Sequence, residues 1–378
     1  MSELVAVCLP NFNGAPVLAS TIEGVLAQTH RELQLVVVDD ASTDDSPRVI
    51  ADLAARDSRI VWHRNEKHLG FASTFNRCLA VAKASFIKPL RQCDRLAPAT
   101  IECGLQPFGA HSSIRMTAVP WIEPATDHPS GSDVVADLVD FDSNLAKALS
   151  STLPIPGDAI VWGSLFPLRN IVGPLSTWLF YRLSSFDQID TALEYFSTID
   201  FYSQMLPDGR FCKVIEPTAT VEIGRPWQRA PHRSEAGRIA ADLIAFSNKN
   251  QWLVEAFSQN IGDFTVMFLD LIERRSQSID WLGYPESGES GAQAIHLDKV
   301  LEELAGLLTA PNQSGVVAAE IIDAISESTK PSAIKLNRQI ANAHRFGAKS
   351  REQTKVGPGT LTDLICSLAD RIKARFKN

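Results

Sequence analysis

The chain has 378 residues, 45% of them hydrophobic and 21% charged, with a formal net charge of −8. This is the composition of a folded globular protein, and the acidic balance excludes a general nucleic-acid binder. Six scattered cysteines, Cys8, Cys78, Cys93, Cys103, Cys212 and Cys366, form no CxxC pair and so exclude common zinc-ligand spacings.

In chain order, Leu4 to Leu9 is an apolar run that ends in Pro10-Asn11-Phe12-Asn13-Gly14, and helix-like sequence follows over Thr21 to Leu26. A second run, Leu33 to Val38, ends in Asp39-Asp40-Ala41-Ser42-Thr43-Asp44 and leads to a helix over Ser46 to Ala55. A third, Ile60 to Trp62, passes through Asn65-Glu66-Lys67-His68-Leu69-Gly70 into a helix over Phe71 to Ala82. That helix puts Phe71, Phe75, Cys78, Leu79 and Ala82 on one face. A fourth run, Phe86 to Leu90, ends in Arg91-Gln92-Cys93-Asp94. Short strands alternating with helices predict a mostly parallel, right-handed α/β sheet. Polar residues gathered at the strand carboxyl ends predict a ligand crevice on that edge.

Further along, residues 113 to 119 read as a strand, Pro120 to Asp133 as a loop and Asp142 to Ser151 as a helix. Ile160 to Phe166 and Leu175 to Tyr181 have β character. Phe196 to Leu206 reads as a helix and Phe211 to Ile223 as a strand. From His232 the texture becomes helical: Ser234 to Phe246, Trp252 to Ile272 and Leu297 to Leu308 carry helical periods. The expected division is residues 1–233 as the α/β domain and 234–378 as a helical C-terminal region.

The last fifty residues, Thr329 to Asn378, hold eleven Lys/Arg against three Asp/Glu, a net +8, which leaves −16 for the rest. Within them Leu361, Leu364, Ile365, Leu368, Ile372 and Phe376 form one apolar stripe opposite Arg371, Lys373, Arg375 and Lys377. A basic amphipathic helix packs on its own protein or a protein partner, or lies on an anionic membrane surface. Met1-Ser2-Glu3 before a short apolar run is no signal peptide, and no run reaches ~20 apolar residues. The expected place is the cytoplasm, or the membrane's inner face through residues 361–378.

Asp39 ends the second strand, where a carboxylate can accept from a nucleobase N–H or a ribose hydroxyl. Ser42 and Asp44 fit caps for the helix that follows. Asp94, past the fourth strand, fits either an N-cap for a helix begun at Pro98 or a ligand for a hard divalent cation. No GxGxxG follows Leu9, which removes the dinucleotide oxidoreductases, and Pro10 to Ala15 is not the Gly-rich basic loop of a nucleotidyltransferase.

Pro10-Asn11-Phe12-Asn13, Gln28-Thr29, Val38 to Asp44, Gly70…Asn76 and Cys93-Asp94…Pro98, taken in order, resemble the inverting family-2 glycosyltransferases of GT-A fold. The likeness spans residues 4 to 100. It continues more weakly through Asn170-Ile171-Val172-Gly173-Pro174…Arg182 and Asp200, and does not reach residues 240 to 378. It implies a GT-A-like α/β sheet and transfer of a sugar, with inversion, from a nucleotide-diphosphate sugar to the hydroxyl of a surface glycan or lipid-linked saccharide. It places Pro10, Asn11, Asn13, Asp39, Asp40, His68 and Cys93 beside the nucleotide-sugar. It makes Asp94 the ligand of Mg²⁺ or Mn²⁺ on the diphosphate, and Asp200 the general base, with Asp187 and Glu194 as nearby rivals.

The departures from the family pattern are Cys93 where an acid is expected, His68 for Asn, Phe75 for Arg and Ala84 for Gly. A thiol is a poor match for Mg²⁺. The alternative is therefore a catalytically weakened member that binds nucleotide or serves as scaffold for another glycosyltransferase. His232, with Arg225, Trp227 and Gln228, falls where related enzymes close a loop over the diphosphate. Trp162 and Trp178 fit a core better than a sugar platform. Arg182 suits a phosphate or a neighbouring acid.

Overall fold

The computed structural model describes residues 3–122, 143–165, 171–182, 188–193, 197–206 and 209–223. Beyond these it describes residues 242, 245–246, 249–250, 297–308, 335–336 and 340. The chain divides into two compact units, Met1–Pro231 with Asp280–Gly291, and His232–Ile279 with Ala292–Asn378.

The first unit opens β1 (Val5–Asn11), α1 (Ala15–Leu26), β2 (Leu33–Asp39), α2 (Ser46–Ala54), β3 (Ile60–Arg64), α3 (Phe71–Val81) and β4 (Phe86–Pro89). It continues with β5 (Arg95–Leu96), α4 (Thr100–Ala110), β6 (Ile114–Ala118), β7 (Trp121–Ile122), α5 (Ser143–Leu149), β8 (Ile155–Pro156) and α6 (Gly157–Leu165). After a 3₁₀ turn at Leu175–Thr177 come β9 (Trp178–Tyr181), α7 (Ser197–Met205), β10 (Arg210–Lys213), a second 3₁₀ turn at Pro217–Ala219 and β11 (Val221–Glu222).

Eight strands form one sheet in the order β3-β2-β1-β4-β9-β6-β10-β8, and β5-β11-β7 form a small second sheet. Pairings among β1 to β4 and between β6 and β10 are parallel; β9 runs antiparallel to β4 and β6, and β8 antiparallel to β10. The sheet is thus mostly parallel and GT-A-like, as expected.

Burial explains the local choices. Every residue of β1 and β2 is buried, which is the state of a parallel strand covered on both faces. On one face, alternate residues Val5, Val7 and Leu9 of β1 and Leu33, Leu35 and Val37 of β2 pack with Leu18, Ile22 and Val25 of α1 and Ile50 of α2. The opposite face meets α3, whose buried stripe is Thr74, Phe75, Cys78 and Leu79.

Three expectations need correction. Ile160 to Phe166 is not a strand: α6 covers Gly157–Leu165, because a short apolar run reads the same for a buried helix and a buried strand. The segment expected as one strand from Phe211 to Ile223 is split between two sheets: β10 ends at Lys213, and a 3₁₀ turn at Pro217–Ala219 precedes β11. The strand at Leu175 to Tyr181 starts only at Trp178.

In the second unit, α8 (Leu297–Leu308) buries Leu301, Leu304, Ala305 and Leu308 at helical spacing. Phe246, Leu336 and Ile340 are also buried. The expected helix at Trp252 to Ile272 and the basic stripe at 361–378 lie outside the described residues, as do His232, Arg225, Trp227, Gln228, Asp187, Glu194 and the side chain of Trp162. Among the described residues no helix is long and apolar enough to cross a membrane.

Candidate active site

β1 lies between β2 and β4, and the chain leaves it in opposite directions; ligands of open α/β sheets sit at such a switch, past the strand carboxyl ends. Pairing of β1 with β4 stops at Cys8, whereas pairing with β2 continues to Asn11. Pro10 therefore stands where the β4 side has already parted, and its missing N–H breaks no bond there.

Two loops interlock beyond this point. Asn11 Nδ2 donates to Asp39 Oδ1 at 2.8 Å and to Ser42 Oγ at 3.3 Å. Asn13, held at φ 50°, accepts at Oδ1 from the amides of Thr43 (2.8 Å) and Asp44 (3.3 Å). Asparagine tolerates that left-handed backbone; Ala41, at φ 58°, holds it with less ease. Gly14 has no freedom of identity either, because a Cβ would overlap Asn11 Oδ1. That oxygen is buried and has no hydrogen-bond partner among the described residues.

Ser42 and Asp44 do not cap the following helix alone. Ser42 Oγ accepts from the Asn13 amide at 2.8 Å, Asp44 Oδ2 from Ala15 at 3.0 Å, and Ser46 Oγ from Gly14 at 3.0 Å. They tie down the start of α1, while Asp44 Oδ1 also takes the Ser46 amide at 2.9 Å. These bonds hold the Asp44 carboxyl below its ordinary value against the opposing effect of burial, which is the largest cause.

Asp39 and Asp40 are both buried and both filled. Asp39 accepts from Asn11, from Ser42 Oγ (2.5 Å) and from the Ser42 amide (3.1 Å), and is ion-paired with Arg64, whose Nε lies 3.3 Å away. Asp40 accepts from Asn65 Nδ2 (2.7 Å) and from the Leu69 and Gly70 amides (2.9 and 2.8 Å), and His68 Nδ1 lies 2.8 Å from it. Asp40 thus organises the loop that leads to α3, where Gly70 sits at φ 85°. His68 stacks on Phe12 with ring centroids 4.0 Å apart, which brings the third loop over the first.

The fourth loop joins through Gln92. Its amide pairs with the backbone of Phe12 in both directions, at 2.7 and 3.0 Å. Two residues on, Asp94 is fully buried. It caps no helix: β5 intervenes, α4 starts at Thr100, and the carboxylate instead accepts from Ser176 Oγ at 2.5 Å. Ser176 Oγ also receives the Arg91 amide at 2.9 Å. Behind them the buried ammonium of Lys88 donates to the carbonyls of Ser176 and Trp178. Burial pulls the Lys88 ammonium down to about 7, opposed by the charge of Asp94.

Cys93 Sγ lies 3.6 Å from Asp94 Oδ1. Burial and then the Asp94 charge push its thiol up to about 12, and a thiol is a soft ligand that suits Mg²⁺ poorly. No group of three His, Cys, Asp or Glu able to hold a metal ion occurs among the described residues. The donor set therefore fits Mg²⁺ or Mn²⁺ in one way: a single carboxylate, with water and substrate phosphates completing the shell.

Asp200 is buried in the first turn of α7, and its carboxylate accepts from Gln204 at 2.7 Å. Arg182 has a structural partner: it donates to the carbonyls of Leu79 and Ala82 at the end of α3. Trp178 is core, stacked on Phe201. Arg64, Asn65, Lys88 and Ser176 were not singled out from sequence, although a lysine inside the apolar run Phe86 to Leu90 was a visible signal.

Residues 6–90 match the family model described as "Glycosyl transferase family 2". This stretch is similar to the family 2 glycosyltransferases. Glycosyltransferase GlyG of Streptococcus pneumoniae serotype 4 is 33% identical over 87 residues, 23% of this chain and 29% of GlyG. The Escherichia coli UDP-Glc:alpha-D-GlcNAc-diphosphoundecaprenol beta-1,3-glucosyltransferase WfaP is 33% identical over 85 residues, 22% of this chain and 33% of WfaP. The chain spans about a third of the length of the curated relatives it matches. Among solved structures, residues 1–349 of S. aureus TarS in complex with UDP-GlcNAc align with TM-score 0.60 and 13% identity, over 96% of this chain and 95% of that one. At that identity the likeness concerns the fold, which is GT-A-like.

Proposed function

We propose that this protein is an inverting glycosyltransferase that moves a sugar from a nucleoside-diphosphate sugar to a hydroxyl of a glycan or lipid-linked saccharide. The observation that carries the reading is the convergence of four loops, bearing Asn11 and Asn13, Asp39 and Asp40, His68, and Cys93 and Asp94, on the carboxyl edge at the β1 switch point. The family match over residues 6–90 and the nucleotide-sugar in the TarS complex support it; the name of WfaP supports a lipid-linked acceptor.

Pro10, Asn11 and Asn13 shape the nucleotide pocket, and Asp39 accepts from base or ribose. Asp40 sets the loop that places His68 and Phe12 over the pocket mouth. Asp94 would hold a divalent cation beside the diphosphate, and such a cation would supply charge that offsets the leaving group. Asp200 takes the proton of the acceptor hydroxyl as that oxygen attacks the anomeric carbon. The bond to the diphosphate oxygen breaks, its electron pair leaves with the nucleoside diphosphate, and the anomeric configuration inverts. Residues 361–378 meet an anionic membrane surface or a protein partner, and the site faces the cytoplasm.

Cys93, a soft thiol 3.6 Å from Asp94 where an acid was expected, favours a second reading, a weakened member that binds nucleotide without turnover. Incubation with UDP-, GDP- and dTDP-sugars and a panel of saccharide acceptors separates the two. Release of nucleoside diphosphate that depends on acceptor supports transfer; nucleotide binding without release in any combination supports the weakened member.

A further inference from the structure

A carboxylate has about four acceptor positions, and four donors face Asp39: Asn11, the Ser42 hydroxyl and the Ser42 amide through hydrogen bonds, and Arg64 through an ion pair. Three of these donors belong to buried residues that hold the β1 and β2 loops together. Arg64 differs. Its side chain is 50% exposed while Asp39 is 0% exposed, so the guanidinium is the cover between the carboxylate and solvent. Register puts it there: Arg64 ends β3 directly opposite Asp39 at the end of β2. A second bond, from Arg64 to the Ser42 carbonyl at 2.7 Å, steadies it over the acid.

We infer that Arg64 is a displaceable cover on Asp39, so that a nucleotide reaches this acid only by supplying its own N–H or O–H donor in place of the guanidinium. The inference rests on the nucleotide-sugar reading above. Its physical content is exchange. Asp39 is an acceptor in the covered state and in the occupied state, and the carboxylate is never left unpaired in a buried place, where the penalty is severe. A ligand group that can only accept, such as a carbonyl or ring nitrogen without hydrogen, gains nothing from the exchange. Arg64 thereby sets a selection rule for the base or ribose edge. The Asn11 and Ser42 bonds cannot be exchanged in the same way, because breaking them unties the loops that form the pocket.

Calorimetric titration tests this on the full chain. The wild type is first titrated with UDP, GDP and dTDP, and the nucleoside of whichever binds is then compared on wild type, Arg64→Met and Asp39→Asn. Nucleosides carry no phosphate, so the lost positive charge does not enter through the diphosphate. A half-exposed ion pair is worth up to about 1 kcal/mol, so freeing Asp39 of its cover should tighten nucleoside binding about two- to fivefold. Asp39→Asn should weaken it about tenfold or more. As a second readout, the Arg64 Nε proton resonance of the wild type should shift when nucleoside is added. Equal or weaker binding by Arg64→Met with an unmoved Nε resonance overturns the cover while leaving the donor reading intact. A wild type that binds none of the three nucleotides overturns both.

Discussion

The Ser176 hydroxyl donates to Asp94 Oδ2 at 2.5 Å, across 82 positions of sequence. It also accepts the Arg91 amide, so one side chain fixes the loop after β4 and the carboxylate that the loop presents. A hydrogen bond to a charged, buried acceptor is worth about 1.5–3 kcal/mol. Ser176→Ala should therefore weaken Mn²⁺-dependent nucleotide binding by about tenfold or more, and Ser176→Thr should restore most of it. Unchanged affinity in the alanine variant would show that Asp94 needs no such anchor.

Asp200 should separate chemistry from binding. Removal of a general base costs about 10²–10⁴-fold in turnover. Asp200→Asn, which can still meet Gln204, should lose that factor in sugar transfer with nucleotide affinity within about twofold of the wild type. A parallel loss of nucleotide affinity would place Asp200 in the donor pocket and leave the base unassigned.

Gly14 gives a prediction about architecture. Its missing Cβ leaves room for Asn11 Oδ1, and Gln92 approaches the same space. Gly14→Ala should cost about 1–3 kcal/mol through overpacking, read as a lower urea midpoint, with weaker nucleotide binding. Gly24, which has open space around it, is the control: Gly24→Ala within α1 should be neutral or stabilising by up to about 1 kcal/mol.

Buried titrating groups set a pH profile. Lys88 falls from 10.5 to about 7 on folding, so between those values the unfolded chain holds a proton that the folded chain lacks, and stability rises with pH from about 7. Cys8 and Cys93 rise from 9.0 to about 12, so above about 9 the folded chain keeps protons that the unfolded chain releases, and stability falls. Urea midpoints should peak between about pH 8 and 9. Lys88→Met should flatten the rise between pH 7 and 8.5; an unchanged slope would mean that Lys88 stays charged in the folded state.

The fold of the first hundred residues was legible because each strand is a short apolar run closed by turn residues, and each following helix has one apolar face. Asp39, Asp40 and Asp94 were legible as polar groups at strand ends. Their partners were not. Ser176 reaches Asp94 from a segment that reads only as apolar sequence, and Arg64 covers Asp39 through strand register, which composition does not reveal. Ser42 and Asp44 look like caps for the helix that follows them, yet only the Asp44 bond to the Ser46 amide goes to that helix, and their other side-chain bonds go to Asn11, Asn13, Ala15 and Asp39. The strand expected at Ile160 to Phe166 failed for a related reason: a short apolar run lacks the alternation that tells strand from helix.

The central claim is that Asp94 and the incoming diphosphate together hold a divalent cation at the end of β4. Calorimetric titration of UDP, GDP and dTDP with and without Mn²⁺, on the wild type and on Asp94→Asn, tests it most directly. The account predicts that one nucleotide binds with Mn²⁺, that Mn²⁺ alone does not bind measurably, and that Asp94→Asn loses the metal-dependent part. Nucleotide binding of equal strength with and without Mn²⁺ in both proteins would contradict it.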